Sequence, residues 1–131
     1  MALNMNDRKS VGAFGEAAAE AYLTRQGFRI EGRNIARKTG ELDRVARKDG
    51  TLHIIEVKTV VCDEFPAEEG REDDYGPESN LHAYKLHKVI RTAEWYIAER
   101  EWEGEWQVDG ILVWVRRRDG VTHIRYLPQL V

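Results

Sequence analysis

The sequence predicts an α/β protein, a mixed central sheet flanked by helices, in the order α-β-β-β-α-β-β. Three observations predict it. Two segments repeat apolar residues at helical spacing, several short runs are extended or rich in β-branched residues, and Asp-Gly pairs sit where hairpins must turn. At 131 residues the chain fits one domain, 1–131, large enough for a hydrophobic core without covalent staples.

The first helix takes Ser10 as a candidate N-cap and carries Val11, Phe14, Ala18, Ala21 and Tyr22 as its apolar stripe. Gly27 ends it as the residue after the C-cap. Glu16 and Glu20 fall one turn apart on one face of that helix. An extended segment, Phe28 to Ile35, follows and is closed by Lys38-Thr39-Gly40. Two strands, Glu41 to Lys48 and Thr51 to Val61, flank Asp49-Gly50, a pair in which both residues tolerate positive φ. The stretch 63–78, with Pro66, Gly70, Gly76 and Pro77, reads as a loop spanning about 62–79. A second helix is predicted from Ser79 to Arg100, with Leu86, Val89, Ile90, Ala93, Tyr96 and Ile97 keeping helical period. Gln107 to Val115 and Val121 to Leu127 are the last two strands, turning at Asp119-Gly120.

The composition, 42% hydrophobic and 33% charged, is that of a soluble globular protein. No apolar stretch approaches the roughly 20 residues that span a bilayer. Met1 to Ser10 lacks the apolar centre of a secretory signal, so the expected location is the cytoplasm, away from membranes. The single cysteine, Cys62, excludes an intramolecular disulfide and any multi-cysteine zinc site, and is expected to be an inert thiol.

Net charge is −3, which argues against a nucleic-acid binder, but its distribution does not. Residues 63–78 hold eight acids against Arg71 and carry −7, leaving +4 on the rest of the chain. Bases concentrate in 29–48 and recur at Lys85, Lys88 and Arg91 on one edge of the second helix. Such an edge either contacts phosphates or is a solvated helix face. The acidic loop is either a solvated segment or a polyanion mimic lying over the basic face.

Strand register brings the chemistry together. With Asp49 and Gly50 as the turn, Lys48 pairs with Thr51, which sets Asp43 opposite Glu56 and Glu41 opposite Lys58. Directly opposed side chains share a face, with Cβ atoms roughly 4.5–5.5 Å apart. Glu56 and Lys58 share that face by alternation. Two carboxylates so close repel unless a cation separates them, and Mg²⁺ favours one or two carboxylates with coordination sites left over for water and phosphate. The bland reading is a solvated strand face with a Glu41–Lys58 salt bridge. Against it, Ile54, Ile55 and Val57 surround Glu56 and point to a buried strand.

The run Gly40-Glu41-Leu42-Asp43, followed by Ile55-Glu56-Val57-Lys58-Thr59, resembles the D-(x)n-E-x-K core of the PD-(D/E)xK nuclease superfamily, whose fold is restriction-endonuclease-like. More closely, the chain is similar to the YraN-like family of small bacterial proteins, related to archaeal Holliday-junction resolvases. Gly12-x-x-Gly15-Glu16-x-x-Ala19-x-x-Tyr22-Leu23, then Gly27-Phe28 and Arg33-Asn34, match that family in order, with Lys85 and Asp109 matching more loosely. The resemblance implies Asp43 and Glu56 as metal ligands, Lys58 as the catalytic lysine and Glu16 as an added acid that orients a water. Mg²⁺ or Mn²⁺ is the implied cofactor. The chain departs from the family at Val60 and Val61, where arginine often follows, and at Gln107-Val108-Asp109, where Arg-Phe-Asp is usual.

The expected function is therefore a metal-dependent nuclease acting on structured or branched DNA. Arg33, Lys85, Lys88 and Arg91 are its candidate nucleic-acid contacts, and a homodimer is suggested by the archaeal relatives. The alternative, favoured by the departures and the acidic loop, is a non-catalytic module that binds nucleic acid or protein on a nuclease scaffold. The four histidines show no metal-ligand spacing. Trp114 reads as core, whereas Trp102 and Trp106, flanking Gly104, are candidates for base stacking.

Overall fold

A computed structural model describes residues 3–66 and 79–131, with side chains from residue 85 onward in the second segment. The elements are α1 (Arg8–Arg25), β1 (Arg29–Arg37), β2 (Gly40–Lys48), β3 (Thr51–Cys62), α2 (Ser79–Glu99), β4 (Trp106–Arg116) and β5 (Thr122–Leu127). Their order is the one the sequence predicts. The strands form one sheet in the order β1-β2-β3-β4-β5, antiparallel except for β3 and β4, which run parallel across the α2 crossover. The restriction-endonuclease-like α/β arrangement is thus the arrangement of the chain.

Alternation along β3 explains why helices cover both faces of the sheet. Ile55 joins Ala19 and Leu23 of α1 in one cluster with Ala46, Ile111 and Val113. Leu52 and Ile54 point the other way, into a second cluster with Val89, Ala93 and Tyr96 of α2, and with Leu42, Val45 and Val108. α1 lies directly on β3 at Gly15, where a Cβ would come within 1.7 Å of Thr59 Oγ1.

Local chemistry sets the element ends. The N-cap of α1 is Asp7 rather than Ser10: its carboxylate accepts from the Lys9 N–H at 3.2 Å, and the first helical bond is Val11 N to Asp7 O at 3.0 Å. Ser and Asp cap about equally well, so residue type could not choose between them. At the other end, Gly27 (φ +92°) closes a Schellman motif in which Phe28 N donates to Leu23 O and Gly27 N to Thr24 O.

Asp49 and Gly50 both adopt positive φ, and the β2–β3 ladder runs in the expected register from Lys48–Thr51 to Arg44–Ile55. There it stops, so the expected pairs Asp43–Glu56 and Glu41–Lys58 are not ladder pairs. In the neighbouring ladder Asn34 takes a left-handed φ of +45°, and the β1–β2 pairing steps over Asn34–Asp43, from Arg33–Arg44 to Ile35–Leu42, with its register unchanged. Across that step alternation breaks, with Arg44 reaching α1 while Leu42 packs against α2. β2 turns over at Asp43.

The expected loop falls for the most part on residues 67–78, outside the described residues, and so does the polyanion-mimic reading. Its described start is pinned to the β4–β5 turn by Arg117 to Asp63 at 3.2 Å and Arg118 to Glu64 at 2.6 Å. Burial, and then Asp63, push the Cys62 thiol up, which keeps it protonated and unreactive. No helix among the described residues is long and apolar enough to cross a membrane.

Candidate metal centre

The centre forms where β2 and β3 part. Asp43 turns its carboxylate into the gap, and Oδ2 accepts the Val57 backbone N–H at 2.9 Å, a donor left over where the ladder stops. The Asp43 and Glu56 carboxyl groups lie within hydrogen-bonding reach of each other. The Glu56 side chain is only 15% exposed, and its Oε2 is buried with no hydrogen-bond partner. Glu16 of α1 adds its charge to both, and Lys85 of α2 brings its Nζ to 4.0 Å from Glu56 Oε1. Lys58 follows Glu56 by two residues on β3, half-buried, and strand alternation gives it the same face.

Burial is the main force on both carboxyls; Asp43 raises Glu56, whereas the hydrogen bond with Glu56 lowers Asp43. Glu56 is pushed up to about 8 by burial, then by the Asp43 charge. Asp43 is raised as well, by burial first, with the Val57 N–H pulling against it. Without a cation, burial and the Asp43 charge therefore favour the protonated form of Glu56. A buried carboxylate oxygen with no partner, beside a second carboxylate, is a donor set that a small hard cation satisfies. Among the described residues no three Asp, Glu, His or Cys side chains are grouped closely enough to cage a metal unaided.

Glu16 is held rather than free. It accepts from Asn34 Nδ2 at 2.7 Å and from Arg44 at 3.3 Å. Arg44 is buried and also bonds Glu20 at 2.9 Å and the Asn34 side-chain oxygen at 3.3 Å. Asn34 bonds Glu41 too, at 3.1 Å, so Glu41 has a partner on β1. Sequence reading passed over this Asn34–Arg44 brace. Its one signal was an asparagine, which tolerates left-handed φ, in the middle of a strand.

The candidate nucleic-acid contacts separate in space. Lys85 stands at the carboxylate pair. Lys88 and Arg91 are exposed on α2. Arg33 makes a forked ion pair with Glu20 through Nε, at 3.0 and 2.9 Å, and through NH2. Arg37 and Arg47 are likewise paired, with Glu99 and Glu31. Four of the seven bases in 29–48 are thus paired within the fold.

Asp109 is fully buried away from the pair. It accepts from His53 Nδ1 at 2.5 Å, Gln107 Nε2 at 2.7 Å, the Gln129 N–H at 2.7 Å and the Tyr126 hydroxyl. Burial alone would raise it, but these bonds together hold it below the usual carboxylate range. Trp114 is half-buried between His123 and Arg125 rather than in the core. Trp102 is fastened by its indole N–H to Glu105 O, with Arg47 over its ring.

Fold and site together define a restriction-endonuclease-like α/β protein with a buried carboxylate pair where two strands part. Residues 15–117 match the model of the uncharacterised protein family UPF0102, also known as the YraN family, and the chain belongs to that family. It is 37% identical over 121 residues to a UPF0102 protein of Syntrophotalea carbinolica, covering 92% of this chain and 90% of the relative. UPF0102 proteins of Campylobacter jejuni and of Nitratiruptor are 35% and 33% identical, each covered over 81% of its length and 78–79% of this chain.

Proposed function

We propose that the protein is a Mg²⁺- or Mn²⁺-dependent nuclease that hydrolyses phosphodiester bonds in structured or branched DNA. The observation that carries this reading is the buried Asp43–Glu56 pair with its partnerless Glu56 Oε2. Asp43 and Glu56 would hold the cation, which when bound would supply Lewis-acid stabilisation of the phosphate and a lower pKa for the attacking water. The Val57 N–H fixes the Asp43 carboxylate, so one of its oxygens keeps a set direction. Lys58 supports the charge that grows on the phosphate during attack. Glu16, braced by Asn34 and Arg44, orients the water. As water adds to phosphorus the P–O bond to the leaving strand would break.

One observation favours a second reading, a module that binds a protein partner and does not cut. Arg33, Arg37, Arg44 and Arg47 are all engaged by carboxylates of the chain itself, which leaves fewer cations for a phosphate backbone. Calorimetry separates the two. Mn²⁺ or Mg²⁺ binding that tightens with a four-way junction and vanishes in Asp43→Asn/Glu56→Gln is the expected result. Absence of metal heat in the wild type, with and without junction DNA, would overturn the nuclease reading.

A further inference from the structure

A groove of about 370 Å³ opens between α1 and β3 on the α1 side of the carboxylate pair. Val57 joins the two places, since its side chain lines the groove while its N–H holds Asp43. Met5 and Val11 form one wall, Val57 and Val61 the other, with Arg8 and Glu16 also on the lining. Arg8 and Glu16 are eight residues apart on one helix, about 12 Å along its axis. The groove therefore runs from a cation, Arg8, to one acid of the centre, Glu16, with apolar walls between them.

Two further observations distinguish it from an ordinary surface cleft. Among the described residues Arg8 has no ion pair, whereas Arg33, Arg37, Arg44 and Arg47 are all engaged. Gly12 also lines the groove, and a Cβ there would meet nothing within 4 Å. Glycine inside a helix is less favourable than alanine, and packing does not call for it here as it does at Gly15. What Gly12 does is leave the groove open.

We propose that this groove is a subsite for one unpaired nucleotide of the substrate strand, next to the bond that is cut; the proposal rests on the nuclease reading. Arg8 takes the phosphate of that nucleotide through its guanidinium fork. Its base lies between the walls, against Met5, whose thioether packs well on aromatic faces. The volume lies in the range of about 300–1,000 Å³ typical of small-ligand pockets. A stacked duplex has no base free to enter, so the groove selects strands with a flap, a gap or a junction crossover.

The test is fluorescence anisotropy on the full chain, with Ca²⁺ replacing Mg²⁺, using a blunt duplex and the same duplex with a short single-stranded flap. Wild type should bind the flapped duplex more tightly. Gly12→Leu, which fills the groove, should weaken flap binding by about tenfold, the scale of one lost base contact, and leave blunt-duplex binding unchanged. Arg8→Ala, an exposed position tolerant of substitution, should weaken flap binding and reduce the salt slope by about one. Variants that bind both duplexes as wild type does, or lose both equally, would overturn the subsite. So would a wild type that binds metal but shows no flap preference, leaving the nuclease reading standing. A wild type with neither metal heat nor DNA affinity would overturn both.

Discussion

Glu56 sits where an anion is unwelcome, and the metal-free protein should show it. A carboxyl whose folded pKa is raised contributes stability that is complete below its unfolded value, near 4.5, and lost as pH rises through about 8. Asp109 acts in the opposite sense. Its pKa is depressed by the bonds it accepts, so its contribution is present above the ordinary 3.8 and lost as pH falls through the folded value. Metal-free protein is thus weakened on both flanks. In EDTA, Glu56→Gln should melt higher than wild type above pH 8, by about 2 kcal/mol, with the two converging below pH 5. Identical melting of the two proteins at pH 9 would show that Glu56 is not the buried acid described. At this scale the nearness of Asp43 and Glu56 was legible, because acids set among Ile54, Ile55 and Val57 are out of place without a partner. The Asn34–Arg44 brace was not legible. Arg44 looked like one more member of a basic run, and only the fold shows it buried between two glutamates.

Elements were legible wherever one local rule governed them. Asp49-Gly50 fixed the β2–β3 turn and its register because both residues must take positive φ, and both do. The expected pairing ended where β2 turns over: the ladder stops at Arg44–Ile55, beside the left-handed Asn34 of β1. A hairpin rule has no knowledge of the strand on its other side. The contact between α1 and β3 makes a sharp prediction at this scale. Gly15→Ala would force Cβ into Thr59 Oγ1 and lift the helix carrying Glu16 away from the centre. It should cost about 2–3 kcal/mol, the upper part of the usual range for overpacking, in chemical denaturation. Gly15→Ala/Thr59→Ala should recover most of that loss, and a lack of recovery would place the strain elsewhere.

For the whole molecule, charge bookkeeping was the weakest guide. A body carrying +4 outside the acidic segment suggested a basic surface, yet carboxylates of α1, β1 and α2 engage Arg33, Arg37, Arg44 and Arg47. Composition counts charges; only the fold says which of them meet. Topology has a consequence for how the molecule assembles. Asp43 and Glu56 lie on one hairpin with a two-residue turn, whereas β4 reaches β3 only after the chain has passed through the whole of α2. Closing the short loop costs far less chain entropy than closing the long one. During refolding, pulse-labelled hydrogen exchange should therefore protect β2 and β3 amides before those of β4 and β5; the reverse order would make the parallel pair the nucleus. The two acids become neighbours while half the sheet is still missing, so the hairpin meets its electrostatic conflict in water, well before any interior exists to sharpen it.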